Sequence, residues 1–289
     1  MPVRSFRATV SSVAVAVLAV VGAAGRVVPV RAEAAPVEPA ALATEDARPP
    51  VAAYLTAAVA RRAAPRGAAP ASPYAAAVDE ALGALAGEVR TLSHPRALAD
   101  AFRSYYAYRA AHPDANPYLY FVDYGLPSTA PRGYVFDMAA RRVVEGPFPV
   151  AHGRGSAAGR DGVPRRFTNL FGSATTSLGL YVAQELYPFR GHADGRAYAS
   201  TGLRLAGVSG AFNSLARARG VVAHGAPYVT ARGAGRSEGC PAMESDRAAR
   251  LLPKLARGGL VFLFAPDARW MAADPWLAAA DAAADSAAG

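Results

Sequence analysis

Cys240 is the only cysteine in this 289-residue chain, and it lies within Gly235-Arg236-Ser237-Glu238-Gly239-Cys240-Pro241-Ala242. A single cysteine makes no intramolecular disulfide, so there is no disulfide framework. A cysteine that serves as a small hydrophobe belongs in an apolar, periodic run. This stretch is polar and glycine-rich, which favours a reactive thiol, with an intermolecular disulfide as the other reading. A reactive thiol works as its thiolate and needs a base, because a free thiol titrates near ~8.5. The histidines on offer are His94, His112, His152, His192 and His224. His94 and His112 each precede a proline in a helical region and read as turn or surface residues. His192, in "RGHADG", reads as a loop residue, and His152 follows a strand in "VAHGRGS". His224 follows the apolar "GVVA" and precedes Gly225, a strand end and glycine-bearing loop that can aim a side chain into a site. A lone histidine there is more often structural; paired with Cys240 the odds reverse. His224 is then expected to take the thiol proton or to hold it as an ion pair, with the thiol below ~8.5. Gly239 lets backbone approach a substrate closely and frees an N–H to face an oxyanion.

The elements that must position these residues begin with two helical stretches. Val78, Leu82, Leu85 and Val89 recur at helical spacing, with Ser72 as cap and Pro73 at the first position. A second helix is expected from about Pro95 to Arg109. After Pro117 the texture becomes strand-like. Tyr118–Tyr124 reads as a strand, and Gly133–Met138 with Arg142–Val150 as a hairpin. Leu178–Gln184, Leu203–Val208, Gly220–His224 and Leu260–Ala265 are further strands. Short helices are expected over Ala211–Ala218 and from a Ser245 cap to near Gly258. Short strands between glycine-rich loops predict a mainly β domain over 117–267, preceded by a helical segment over 73–116 and followed by an Ala-rich tail over 268–289, read after Trp270 as a frayed helix or as disordered.

The chain is 52% hydrophobic with a formal charge of +9, and Lys254 is its one lysine. Scattered arginines without a basic, aromatic-interleaved helix argue against nucleic acid as a partner; the arginine excess reads first as codon bias, with attraction to a polyanion such as an anionic cell wall as the functional reading. Arg4 and Arg7, the uncharged Ala8–Gly25 and the Ala32-Glu33-Ala34 site predict a signal peptide over 1–34, or an uncleaved membrane anchor. The N-terminal segment then meets membrane only during export or as that anchor. Residues 35–72, rich in Ala, Pro and Arg, predict a linker.

His224-Gly225 followed by Ser237-Glu238-Gly239-Cys240 resembles the bacterial L,D-transpeptidase catalytic domains of the YkuD-like type. The closer resemblance is to the murein branch with a Gly-Arg-Ser-x-Gly-Cys-Pro-Ala signature, supported by "VAHGRGS", "FTNLFGSATTSLGLY" and "FNSLARARGVVAHG". It implies a β-sandwich or barrel-like catalytic domain with Cys240 as nucleophile and His224 as base. Ser237 would help order the site, with Gly239 and Cys240 as oxyanion donors. His152 would contact substrate or order a loop; Asn169 and Ser177 would line the cleft, or form turns. Many members carry a second His where this chain has Glu238, and an Arg where it has Pro241 and Ala242. Arg236 is the first candidate for a substrate carboxylate, ahead of Arg204 and Arg217. A carboxylate beside a thiol opposes the thiolate, so Glu238 should turn outward or pair with an arginine, Arg236 being nearest in sequence.

The resemblance implies an exported peptidoglycan L,D-transpeptidase of the periplasm or cell envelope. It would release D-Ala from a stem tetrapeptide through a Cys thioester and crosslink to a neighbouring stem. The alternatives are an L,D-carboxypeptidase or other thiol hydrolase, and a non-catalytic wall-binding protein. No cofactor is implied, and no metal, because no His/Cys/Asp/Glu cluster has ligand spacing.

Overall fold

A computed structural model describes residues 74–113 and 116–278. The expected signal peptide or anchor, the linker, Ser72, Pro73 and the end of the tail lie outside them. Helix α1 (Ala75–Leu85) turns its Val78, Ala81 and Leu85 inward and passes into a 3-10 turn over Ala86–Glu88. Helix α2 (Ala97–Ala111) buries Leu98, Phe102 and Tyr105 at helical spacing.

The molecule is mainly β. Strands β1 (Tyr118–Asp123), β2 (Gly133–Asp137), β3 (Arg142–Phe148), β5 (Gly179–Ala193), β6 (Arg196–Gly207), β7 (Val222–Gly225), β11 (Ala242–Met243) and β12 (Leu260–Phe264) form one mixed sheet in the order β11-β7-β6-β5-β12-β1-β2-β3. Two small ribbons pair β4 (His152–Gly153) with β10 (Arg236–Ser237), and β8 (Val229–Thr230) with β9 (Gly233–Ala234). β12 is buried along its whole length and runs parallel to β1, as continuous apolar runs covered on both faces do. Ala151, just past β3, bridges Ala242 in β11, with Ala151 N–H donating to the Ala242 carbonyl at 2.8 Å. This bridge draws the two edges of the sheet together at one point, the barrel-like feature of the fold. Helix α3 (Ser245–Leu255) buries Ala248, Leu251, Leu252 and Leu255.

Four expectations need correction. β5 and β6 run well beyond Leu178–Gln184 and Leu203–Val208 as one long hairpin, so His192 is a strand residue. Asp194 (φ 50°) and Gly195 (φ 75°) make the tight turn. Pro188 disguised the extension, but only Gly179–Val182 of β5 pair with β12, which leaves the outer part an edge that tolerates proline. The helix expected over Ala211–Ala218 is a 3-10 turn at Gly210–Phe212 followed by irregular turns. Asn213 turns its side chain into the core, accepting from Ser209 N–H at 2.8 Å and donating to the Leu180 carbonyl at 2.9 Å, in competition with helical bonding. The chain past Ala265 also contributes to the core: helix α4 (Ala268–Ala273) sets Trp270 against Phe262 and Phe264. The cap of α3 falls at Glu244, with Ser245 its first helical residue.

Candidate active site

Cys240 lies in a turn bracketed by two short parallel strand pairs. Before it, β10 aligns Arg236 with His152 and Ser237 with Gly153; after it, β11 aligns Ala242 with His224 and Met243 with Gly225. The two His-Gly dipeptides therefore hold the two ends of the cysteine turn. Ser237 Oγ fastens its middle, donating to the Cys240 carbonyl at 2.7 Å and accepting from Gly239 N–H at 3.2 Å. That bond commits the Gly239 N–H, one of the two expected oxyanion donors. Among the described residues the Cys240 N–H carries no hydrogen bond and is the donor left open. Gly239 adopts φ +127°, where a side chain is strained, and a Cβ there would meet the Thr175 carbonyl at 2.7 Å.

The thiol is half-buried, with Sγ 4.0 Å from the Gly220 carbonyl. Burial pushes it up to about 11, against smaller downward pulls from the Val222 N–H and the Arg219 guanidinium. His224 is buried within β7, and its ring stacks on Phe189 of β5 at 4.0 Å between centroids and 17° between planes. Burial lowers it to about 4, partly offset by the Gly225 carbonyl. Nδ1 lies 2.9 Å from that carbonyl, which only accepts, so Nδ1 carries the hydrogen and Nε2 is the free base. The resting pair is neutral thiol and neutral imidazole, without a hydrogen bond between them. The expected ion pair is disfavoured, because burial penalises the charged form of both groups.

His152 is built in the opposite sense. Its Nδ1 lies 2.9 Å from Arg132 Nη2, and a guanidinium only donates, so Nδ1 accepts and Nε2 bears the proton. That Nε2 is buried without a partner. Burial, with Arg132 and Arg236 nearby, lowers His152 to about 3. Arg132 is itself fully buried, spanning the Val150 and Leu126 carbonyls and lying over the Tyr124 ring at 4.8 Å.

Arg236 is half-buried and uses Nη1 alone, on Ser128 Oγ at 2.9 Å and the Ala234 and Gly235 carbonyls at 3.2 Å. Glu238 is exposed and turned outward, as expected, but its partner is Arg154 at 2.7 Å rather than Arg236. Arg204 and Arg217 both pair with Glu185 at 3.0 Å. Asn169 ties its loop to the turns at 211–215, donating to the Ala211 carbonyl and Ser214 Oγ and accepting from Leu215 N–H. Ser177 is buried, accepts from Arg219 Nη1 at 2.6 Å and donates to the Thr168 carbonyl. Both act as tethers. Sequence reasoning passed over Thr176, whose Oγ1 accepts from Gly153 N–H at 3.0 Å and donates to the Gly239 carbonyl at 3.3 Å. It also passed over Arg219; both sat inside stretches quoted for their resemblance, where a lone Thr or Arg carries no signal of its own. Among the described residues no three His, Cys, Asp or Glu side chains gather as a metal-binding group.

Residues 90–264 match the L,D-transpeptidase catalytic domain family, and the chain belongs to it. Among solved structures it is similar to an L,D-transpeptidase from Mycobacterium smegmatis at 17% identity and a TM-score of 0.31, covering 51% of this chain and 58% of that one. It is also similar to the L,D-transpeptidase LdtMt1, solved in complex with imipenem, at 16% identity and a TM-score of 0.32, covering 51% of this chain and 59% of that one. The chain thus spans less than two thirds of either structure. No curated protein matches it.

Proposed function

We propose that this protein is an exported cysteine L,D-transpeptidase that crosslinks peptidoglycan stem peptides. The observation that carries the reading is the pairing of β11 with β7, which fastens the only thiol beside His224 in a chain of this family. Cys240 Sγ attacks the carbonyl that follows the L-centre of the third stem residue, and its proton passes to His224 Nε2. The carbonyl oxygen becomes an oxyanion facing the Cys240 N–H. Collapse breaks the C–N bond; D-Ala leaves as its amine, taking the proton from Nε2, and a thioester remains. A neighbouring stem amine attacks the thioester carbon and gives its proton to Nε2. The C–S bond breaks, and the thiolate recovers the proton.

A neutral pair suits this sequence, because each charge arises only as the bond to carbon forms. Ser237 and Gly239 set the turn, and Arg236, with Nε and Nη2 uncommitted, takes a stem carboxylate. His152 holds the loop beneath it. The catalytic unit is 117–267, behind a helical segment and an Ala/Pro/Arg-rich linker. Export follows the basic, apolar and small-residue pattern of residues 1–34; among the described residues no helix is long and apolar enough to cross a membrane. N-terminal sequencing from the native envelope should find a start near Ala35; an intact Met1 indicates an anchor, and a cytosolic location refutes export. Mass spectrometry of purified muropeptides tests the chemistry. Crosslinked dimers support transfer, tripeptides alone mean an L,D-carboxypeptidase, and unchanged substrate means a wall-binding protein.

A further inference from the structure

Arg219 closes the run of turns that leads into β7 and takes no part in the mechanism above. Its Nη1 donates to the Thr168 carbonyl at 3.0 Å and to Ser177 Oγ at 2.6 Å; its Nη2 donates to the Thr175 carbonyl at 2.8 Å and to Ser173 Oγ at 3.3 Å. Every acceptor is uncharged, and among the described residues no carboxylate pairs with this guanidinium. Four of its five N–H groups are committed, so it cannot fork onto a substrate carboxylate. It is a fixed, uncompensated positive charge.

Two contacts place that charge at the nucleophile. A Cβ built on Gly239, next to Cys240, would lie 3.7 Å from Arg219 Nη2. The Cys240 thiol rests on the carbonyl of Gly220, the residue after Arg219. The Thr175 carbonyl that accepts from Nη2 also forms the floor under Gly239. Among the other titratable groups around the thiol, Glu238 bears a charge that opposes the thiolate. Glu238, on the same turn, is exposed and paired with Arg154. His224 on β7 is neutral. Tyr181 and Tyr187 on β5, Tyr198 on β6, Tyr124 after β1 and Tyr228 after β7 are phenols held above their ordinary value by burial. Arg236 is directed at Ser128.

We propose that Arg219 is a positioning residue of the nucleophile: its guanidinium clamps the 168–177 strap against the Gly239–Cys240 turn and stabilises the thiolate. The inference deepens the proposed function through the thiol alone, and its test needs no stem peptide, so failure here is distinguishable from failure of the transpeptidase reading. Iodoacetamide labelling of the full chain reports only Cys240. Arg219→Met should lower the labelling rate at about pH 8 by tenfold or more and move the rate–pH curve up by about one unit. Arg219→Lys should fall between Arg219→Met and the unsubstituted chain, since it keeps the charge and loses the clamp. A merely structural arginine would lower the melting temperature and leave the curve in place, and a curve unmoved or shifted down in Arg219→Met overturns the proposal. If Arg219→Met does not fold, the unsubstituted chain decides. The anionic reagent iodoacetate should gain on neutral iodoacetamide relative to free cysteine, and lose that gain in high salt. A ratio no higher than that of free cysteine overturns the proposal.

Discussion

His152–Gly153 on β4 and His224–Gly225 on β7 are the same dipeptide on two short strands, each paired in parallel with one end of the cysteine turn. Both histidines are buried, and burial holds both neutral. Both glycines are there because a side chain has no room: a Cβ on Gly153 would meet the Gly239 Cα at 2.8 Å, and one on Gly225 the Ser245 Cα at 2.7 Å. The difference lies in what each Nδ1 faces. At His224 it faces a carbonyl, so Nε2 is a base. At His152 it faces a guanidinium, so Nε2 is a donor. Identical local sequence yields opposite tautomers: His224 offers a bare Nε2, while the bare nitrogen of His152, its Nδ1, is already occupied by Arg132.

The largest effects are expected from removing the thiol or the histidine with the bare Nε2. Cys240→Ser should abolish transfer, because a hydroxyl is a far weaker nucleophile in a site built for a thiol. His224→Ala should cost about 10²–10⁴-fold in rate, while leaving the resting iodoacetamide curve nearly unchanged, since no hydrogen bond joins the two groups before substrate binds. A curve that moves up in His224→Ala would restore the ion pair that the sequence suggested. On the unsubstituted chain that curve should have its midpoint above the ~8.5 of free cysteine.

Removing the other histidine should act on stability. His152→Ala takes the acceptor from buried Arg132 and should destabilise the fold by about 1–3 kcal/mol in chemical denaturation, with the thiol's titration nearly unchanged. A collapse of thiol reactivity with an intact fold would make His152 a second base.

A smaller effect follows from acid. Both histidines titrate below their ordinary 6.5, His224 at about 4 and His152 at about 3. Between 6.5 and those values the unfolded chain binds more protons than the folded one. Stability is therefore full above 6.5 and falls progressively as pH drops toward 4 and 3. His152→Ala should flatten that slope in melts across the range; a slope unchanged by the substitution would mean that His152 is charged in the fold. Smallest of all, Glu238→Gln should leave transfer within about tenfold, or roughly 1.4 kcal/mol of barrier, because the carboxylate faces solvent and Arg154. A thousandfold loss would give Glu238 a direct role.

The core strands were legible because their signal is local. Tyr118–Asp123 and Leu260–Phe264 are unbroken apolar runs, and runs of that length buried on both faces read as strands wherever they pair. The site's centre was legible for another reason: one thiol in a polar, glycine-rich turn has little packing rationale, and the His-Gly and Ser-x-Gly-Cys spacing supplied a resemblance. Ser237 Oγ bonds Gly239 N–H and the Cys240 carbonyl within that turn. Asn169 and Ser177 were left between cleft lining and turn formation because polarity in sequence does not tell a tether from a wall.

Composition and pattern determined the β-rich class, and the spacing of the motifs supplied the resemblance to the family and singled out the thiol. Tertiary structure decided the rest: the tautomers of His152 and His224, the Glu238–Arg154 pair and the carboxylate-free guanidinium of Arg219 beside Gly239. Each is an electrostatic fact about groups brought together from distant segments under a shared burial. Its sign depends on which donor, acceptor or charge the fold sets opposite, and that is not written at any one position in the chain.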